Sequence, residues 1–361
     1  MPTRLSIALA TLLLLSQACR SSEPGPPVPP TSDLFVLVAP GVYAALQPAE
    51  KRFDDSNVVL VVGSEALLVV DAPSDEAFVR RVCAEIPKIS RVPVRYVVNT
   101  HWHADHTQGN AVYRRELGPA VEFVGHQTLV SDVPERAEKE LRARVARLET
   151  RIPLAEQELA TGKDEQGTEL TEEERTKQRA AIERARGWLE RNRGAEFVVP
   201  TRPYAEESTT LSLGDLKVEL RHFRAHTRGD TVLYLPQSKV LITGDVLDDL
   251  PFVGHGYPRE WVAALRDLAA LEVDAVVPGH GPIFLGPEQL RDVAGYLEDL
   301  VAQVGTATVA GRSLEETRAS VDLARWRDTL AGQDAPAQRF FDATLPAAIE
   351  RAYAEAVGKA D

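Results

Sequence analysis

Between residues 34 and 290 the chain repeats one local grammar: a short apolar, β-branched run, then a turn of Gly, Asn, Asp or Thr. Val94 to Val98 (V-R-Y-V-V), Val240 to Thr243 (V-L-I-T) and Val273 to Val277 (V-D-A-V-V) predict buried strands, and the alternation of Leu216, Val218 and Leu220 predicts another. Helical spacing predicts short helices over Gly109 to Leu117 and Glu260 to Leu271. From 131 to 197 the pattern changes to Glu, Arg, Lys, Ala and Leu. There Leu141, Val145, Leu148, Ile152, Ala155 and Leu159 recur at alternating four and three spacing, a coiled-coil-like stripe. Gly162 to Gly167 reads as a turn. Thr171 with Glu174 makes a capping box for a second helix through Leu189, and Pro153 is expected to kink or split the first. Residues 131–197 are thus expected to form a helical hairpin inserted in a larger domain. Residues 291–361 read as helices packed on its outer layer, with a capping box at Ser313 and Glu316 and a stripe of Leu345, Ile349 and Tyr353.

The polar residues that end these strands carry the chemistry. They are His101, His103, Asp105 and His106 in T-H-W-H-A-D-H, His226 in A-H-T-R-G-D-T, Asp245 in I-T-G-D-V, and His280 in V-V-P-G-H-G-P. Only eight histidines occur in 361 residues, and five lie in these motifs. Imidazole nitrogen and carboxylate oxygen are the ligands of borderline and hard divalent metals. Strand ends are where α/β sheets usually place ligand-bearing loops, and glycine beside a ligand lets the backbone approach closely. The set predicts a hydrolytic site for two metals.

The H-x-H-x-D-H run at 101–106, with the later motifs, resembles the metallo-β-lactamase superfamily over roughly residues 34–290, the insertion excepted. The resemblance implies an α/β fold, a four-layer αββα sandwich with the site at one end of two packed sheets. It implies that His101, His103 and His226 hold a first metal, that Asp105, His106 and His280 hold a second, and that Asp245 bridges them. Asn57 and Asp71 sit where the family's opening strands carry such residues. Asp245 stands where many true β-lactamases of the family have cysteine, and is more similar to glyoxalase II and the broader hydrolase subgroups. His103, where the flavodiiron branch has glutamate, argues against electron transfer.

The implied mechanism is metal-assisted hydrolysis in which two ions about 3.5–4 Å apart bring the pKa of a shared water towards neutrality, with Asp105 orienting it. The same ions would polarise the scissile bond of an ester, thioester, lactone or amide in a small molecule. Two Zn²⁺ are the expected cofactors, with manganese or iron as alternatives for the carboxylate ligands. A β-lactamase proper, and a non-catalytic metal-binding assembly protein that uses the hairpin, are the competing readings. His255 and Tyr257 (P-F-V-G-H-G-Y-P) lie on a loop that could border the pocket as substrate contacts, whereas His126 and His222 read as packing or hydrogen-bonding residues.

Composition narrows the partners. A net charge of −13 argues against a nucleic-acid partner, and 44% hydrophobic residues suffice for a large core. Arg4 and the apolar stretch Leu5–Leu15 resemble a secretory signal, too short to span a bilayer. It ends at S-Q-A-C, which suggests lipidation at Cys19, with ordinary secretion as the alternative. Residues 1–19 are read as the signal and 20–33 as a Pro/Ser-rich tether, which makes the protein periplasmic and membrane-bound only through a lipid anchor. Cys83 is then the one cysteine in the domain and reads as a small buried hydrophobe. The hairpin is expected to serve as a lid or a homodimer surface.

Overall fold

The β-branched runs assemble into two sheets. The computed structural model describes residues 32–359, so the expected signal and Cys19, and the tether up to residue 31, lie outside the described residues. The first sheet has seven strands in sequence order: β1 (Val36–Ala39), β2 (Val42–Ala45), β3 (Val58–Val62), β4 (Leu67–Val70), β5 (Val94–Val98), β6 (Glu122–His126) and β7 (Arg202–Tyr204). Its first four strands are antiparallel, and β4 through β7 run parallel. The second sheet contains β8 (Ser208–Ser212), β9 (Lys217–Phe223), β10 (Asp230–Leu235), β11 (Val240–Gly244), β12 (Ala275–Pro278) and β13 (Phe284–Leu285), in the order β13-β12-β11-β10-β9-β8. Here β11 and β12 are the parallel pair.

The inner faces of the sheets share a core in which Val61, Leu68 and Val98 of the first meet Leu220, Leu233 and Val277 of the second. Strands buried on both faces read as continuous apolar runs rather than as alternation, which is why V-V-L-V-V and L-L-V-V are so uniform. Outside the first sheet pack α1 (Glu76–Ile89) and, beyond the single turn α2 (Ala104–Thr107), α3 (Asn110–Leu117). After β6 come a short turn α4 (Leu129–Asp132), a π-helical segment at Val133–Glu138, and the hairpin of α5 (Lys139–Thr161) and α6 (Glu172–Asn192). Outside the second sheet lie α7 (Pro258–Ala269), α8 (Glu288–Val309) and, after α9 (Leu314–Ser320) and α10 (Ala324–Ala331), α11 (Ala335–Ala356). Helix, sheet, sheet, helix is the layering expected from the sequence.

One expectation needs revision. The first hairpin helix is not split at Pro153, which lies inside α5; Ile152 and Ala155 on either side pack with Ile182 and Leu189 of α6, and these contacts carry the helix past the missing N–H donor. The coiled-coil stripe closes on α6 within the hairpin, so its apolar surface is largely consumed inside the chain. Both capping boxes form, at Thr171–Glu174 and Ser313–Glu316.

Leu233 is fully buried between the sheets. Leu233→Ala should destabilise the protein by about 2–5 kcal/mol in denaturant unfolding; a loss below about 1 kcal/mol would contradict the shared inter-sheet core.

Candidate metal centre

Four strand ends meet at one edge of the sandwich. His101 follows β5 and His226 follows β9; Asp245 directly follows β11, and His280 lies two residues beyond β12. Asp105 and His106 sit on α2, the turn that leaves β5. The close approach is set by glycine at two points. A Cβ on Gly279 would lie 2.0 Å from Asp245 Oδ1, and one on Gly244, whose φ is +49°, 2.4 Å from Thr100 Oγ1.

The donor atoms converge in two groups, His101, His103, His226 and Asp245 in one and Asp105, His106 and His280 in the other, each group within 4.8 Å. In the first, His103 Nδ1 lies 2.9 Å from His101 Nε2 and 3.0 Å from His226 Nε2. Asp245 Oδ2 lies 3.6 Å from His101 Nε2 and 3.4 Å from His226 Nε2. Four ligands placed tetrahedrally around zinc at its usual bond lengths stand about 3.3 Å apart, and these separations bracket that edge. In the second group Asp105 Oδ2 is 3.5 Å from His106 Nε2 and 3.1 Å from His280 Nε2, which are 3.3 Å apart. Asp245 touches both groups, since its Oδ1 is 3.1 Å from His106 Nε2 and its Oδ2 3.7 Å from His280 Nε2. That buried Oδ1 accepts no hydrogen bond, a costly state for a carboxylate oxygen unless a cation completes it. The donor set therefore fits metal ions, and the seven residues singled out in the sequence come together without exception.

A model of the metallo-beta-lactamase superfamily matches residues 52–280. The chain belongs to that superfamily. It is 28% identical over 261 residues to the linear primary-alkylsulfatase of a Pseudomonas strain (ATCC 19151), covering 69% of this chain and 46% of that protein. It is 27% identical over 135 residues to acyl-coenzyme A thioesterase MBLAC2 of Homo sapiens, covering 36% of this chain and 48% of the other. The chain thus spans about half the length of these relatives. Among solved structures, the stereoselective inverting sec-alkylsulfatase Pisa1 from Pseudomonas sp. shares the fold at a TM-score of 0.54 and 16% identity, over 80% of this chain and 45% of that one.

In this member of the superfamily every candidate histidine ligand has its outer nitrogen held by the protein, which sets the tautomer and aims the inner one. Nδ1 of His226 donates to the Phe252 carbonyl at 3.0 Å, and Nδ1 of His280 to the Arg52 carbonyl at 3.1 Å. Nδ1 of His101 lies 3.1 Å from Thr100 Oγ1. Nδ1 of His106 lies 2.8 Å from the carboxylate of Asp71. Asp71, at a positive φ of 64° unusual for a non-glycine residue, also accepts from the backbone N–H and hydroxyl of Thr100. Asn57 holds the His280 loop, its Nδ2 donating to the carbonyls of Pro278 and Gly281. Asp230 ties down the His226 loop by accepting from the N–H and hydroxyl of Thr227. The two polar residues noted on the opening strands are thus positioning residues for ligands.

His103 is reversed: its Nδ1 faces the group, and its Nε2 lies 2.8 Å from His255 Nδ1. His255, read from sequence as a substrate contact, therefore stands behind a ligand. Tyr257 is also displaced from that expectation, its buried ring covered by the guanidinium groups of Arg224 and Arg351. His126 and His222 stack on one another at 3.7 Å, joining the two sheets away from the site. The half-buried Cys83 thiol lies on α1, its pKa pushed up to about 12 by burial and by Glu116.

The centre opens into a pocket of about 320 Å³ whose other walls are Phe53, Asp248, Leu250, Phe252, Phe340 and Thr344. Phe53 and Phe340 stack face to face at 4.6 Å. Sequence reasoning missed this wall, because Phe340 and Thr344 belong to α11, far along the chain and without a motif.

Burial and the neighbouring imidazoles keep His101 uncharged, well below its usual pKa. Burial also opposes charge on His106 and His280, but Asp245 and the other carboxylates outweigh it, holding His106 well above the usual range and His280 at about 10. The raised pKa values favour the protonated form of both in the metal-free protein, so a metal ion bound there would have to displace protons. Zinc titrated at pH 7 into the metal-free chain should release about two protons, read as a buffer-dependent heat; a heat independent of buffer would contradict this charge state. His255→Ala should weaken metal binding at the first group about 10–100-fold while leaving the second unchanged, as measured by competitive chelation. Unaltered affinity at both would remove His255 from the positioning role.

Proposed function

We propose that the chain is a dinuclear zinc hydrolase that cleaves an ester-type bond in a small molecule bearing an alkyl or acyl chain. The observation that carries this reading is the direct contact between the donor cluster and the pocket formed by Phe53, Leu250, Phe252 and Phe340. Zinc held there would supply a nucleophile from water at neutral pH and stabilise charge on the scissile group. The protein's own part is steric and electrostatic. Asp105 is partly exposed, at 26% of its side chain, and its carboxylate can accept a proton from the attacking water and hold that water's orientation. The apolar wall excludes water from the chain next to the reacting bond, and strengthens every polar interaction at the centre. In a thioester or ester the water oxygen joins the acyl carbon, and the proton leaves with the thiol or alcohol.

The expected substrates included esters, thioesters, lactones and amides. The alkylsulfatase relative adds sulfate esters, and its alignment over 69% of this chain favours that linkage as a second reading. A panel of alkyl sulfates, acyl thioesters, simple esters, a lactone and a cephalosporin, each with a chelator control, tests both. Chelator-sensitive turnover of one class, rising with chain length from two to eight carbons, is the expected result. His103→Ala should lower it at least about hundredfold with an unchanged circular dichroism spectrum. Turnover that survives chelation, or that ignores chain length, would overturn the reading.

A further inference from the structure

Beside the apolar pocket lies a second and larger cavity of about 640 Å³, roofed by the inserted hairpin and floored by the turn that carries the D-H motif. Phe53 and Asp105 line both cavities, so the two spaces meet at the metal centre. Arg144 and Arg147 of α5 line the larger one, together with the carboxylates of Asp54, Asp105 and Glu140. Three residues apart, the two arginines lie on the same side of the helix.

What sets them apart is their place on a cavity wall next to the metal centre. Several arginines of the hairpin are paired, Arg142 with Glu138, Arg151 with Glu165 and Arg186 with Glu156, whereas Arg179, Arg184 and Arg191 of α6 are not paired among the described residues and do not line this cavity. Neither Arg144 nor Arg147 forms an ion pair among the described residues. Arg144 Cζ lies over the Trp188 ring, 4.2 Å from its centroid, a cation–π contact that holds the guanidinium in place. Burial and the charge of Arg147 both disfavour its protonated form, and Asp54 favours it from the same cavity without reaching it. Two guanidinium groups on one cavity wall, with donors that no carboxylate engages, can share a tetrahedral oxyanion between them. The roof is also braced. Asp132 at the root of the hairpin pairs with Arg228, Nη2 to Oδ1 at 2.6 Å, and Gln108 beside the D-H motif donates to Asn192 of α6 at 2.9 Å.

Resting on the ester-hydrolase reading, we propose that this groove binds an anionic group, a phosphate or sulfonate, which the substrate carries at a distance from its scissile bond, with Arg144 and Arg147 as its ligands. An alkyl sulfate has its only anionic group at the scissile bond, and would leave the groove unused. The arrangement instead suits an acyl chain in the apolar pocket joined through the reacting carbonyl to a charged leaving group under the hairpin.

The test uses hexanoyl thioesters of three thiols: neutral N-acetylcysteamine, 2-mercaptoethanesulfonate and coenzyme A. The zinc-loaded chain should prefer a charged thioester over the neutral one by about tenfold in kcat/KM, expressed in KM. Which charged thiol gains separates sulfonate from phosphate as the source. R144Q/R147Q should cut kcat/KM on the charged thioesters about tenfold more than on the neutral one, and R144K/R147K should restore part of the difference. No preference in the parent chain, or an equal loss on all three, overturns the proposal. A second readout is independent of turnover: equilibrium binding of free coenzyme A and of 2-mercaptoethanesulfonate in the presence of chelator. Binding that weakens about tenfold in R144Q/R147Q supports the groove even if no thioester is hydrolysed, a result that would sink only the thioester form of the function. Absent or arginine-independent binding overturns the groove itself.

Discussion

The centre depends on dividing each imidazole in two. One nitrogen of every candidate histidine ligand is committed to the surrounding protein, and the other is left facing its neighbours across about 3 Å. Such a cluster is unfavourable by itself: polar atoms buried without partners each cost roughly 1–3 kcal/mol, and Asp245 adds an oxygen with no hydrogen bond. The fold tolerates this because the outer nitrogens are anchored by groups that are themselves immobile. Two are backbone carbonyls, of Arg52 and Phe252. A third is Asp71, locked by Thr100. A ligand that binds only the native arrangement returns that strain as stability, so the site and the fold are thermodynamically one object.

Topology brings the anchors and ligands to the same edge. The chain enters the site from β4 and β5 in one sheet and from β11 and β12 in the other, and both pairs are parallel. Parallel neighbours deliver their C-terminal ends side by side, so Asp71 and His101 arrive together, as do Asp245 and His280. The inter-sheet core then sets the distance between the two deliveries. Gly279 shows how tight that distance is, since any side chain there would occupy the space of the Asp245 carboxylate.

The ligands were legible in the sequence because their chemistry is narrow: few residue types bind metals, and here they follow short strands whose patterns are themselves clear. Val94–Val98 is a strand over the residues its pattern predicts. Asn57 and Asp71 were visible as polar residues in apolar surroundings, but not what they hold, because hydrogen bonds to loops 29 to 224 residues away leave no local trace. His255 was placed near the site by its loop, yet only coordinates distinguish a residue that faces substrate from one that faces the back of a ligand. Phe340 and Thr344 had no signal, as an apolar residue on an amphipathic helix reads the same whether it meets a core or a pocket. Pro153 was misjudged because local propensity omits the packing of α6 that holds the helix together.

These illegible parts are where specificity resides. On the proposed reading the ligands supply the hydrolytic chemistry but say little about the molecule hydrolysed. In this chain the walls come from segments outside the sandwich: α11 gives the apolar side, and the hairpin gives the arginine-bearing side. The hairpin is not a freely solvated elaboration. Its root is tied by the buried Asp132 to Arg228, two residues beyond a ligand, and its far helix by Asn192 to Gln108, two residues beyond another. A roof fastened at both sides to the ligand loops cannot shift without disturbing the metal geometry, so whatever occupies the groove is held in register with the reacting bond. This coupling gives an inserted hairpin a reason to be rigid, with its apolar stripe closed on itself and its unpaired cations turned inward.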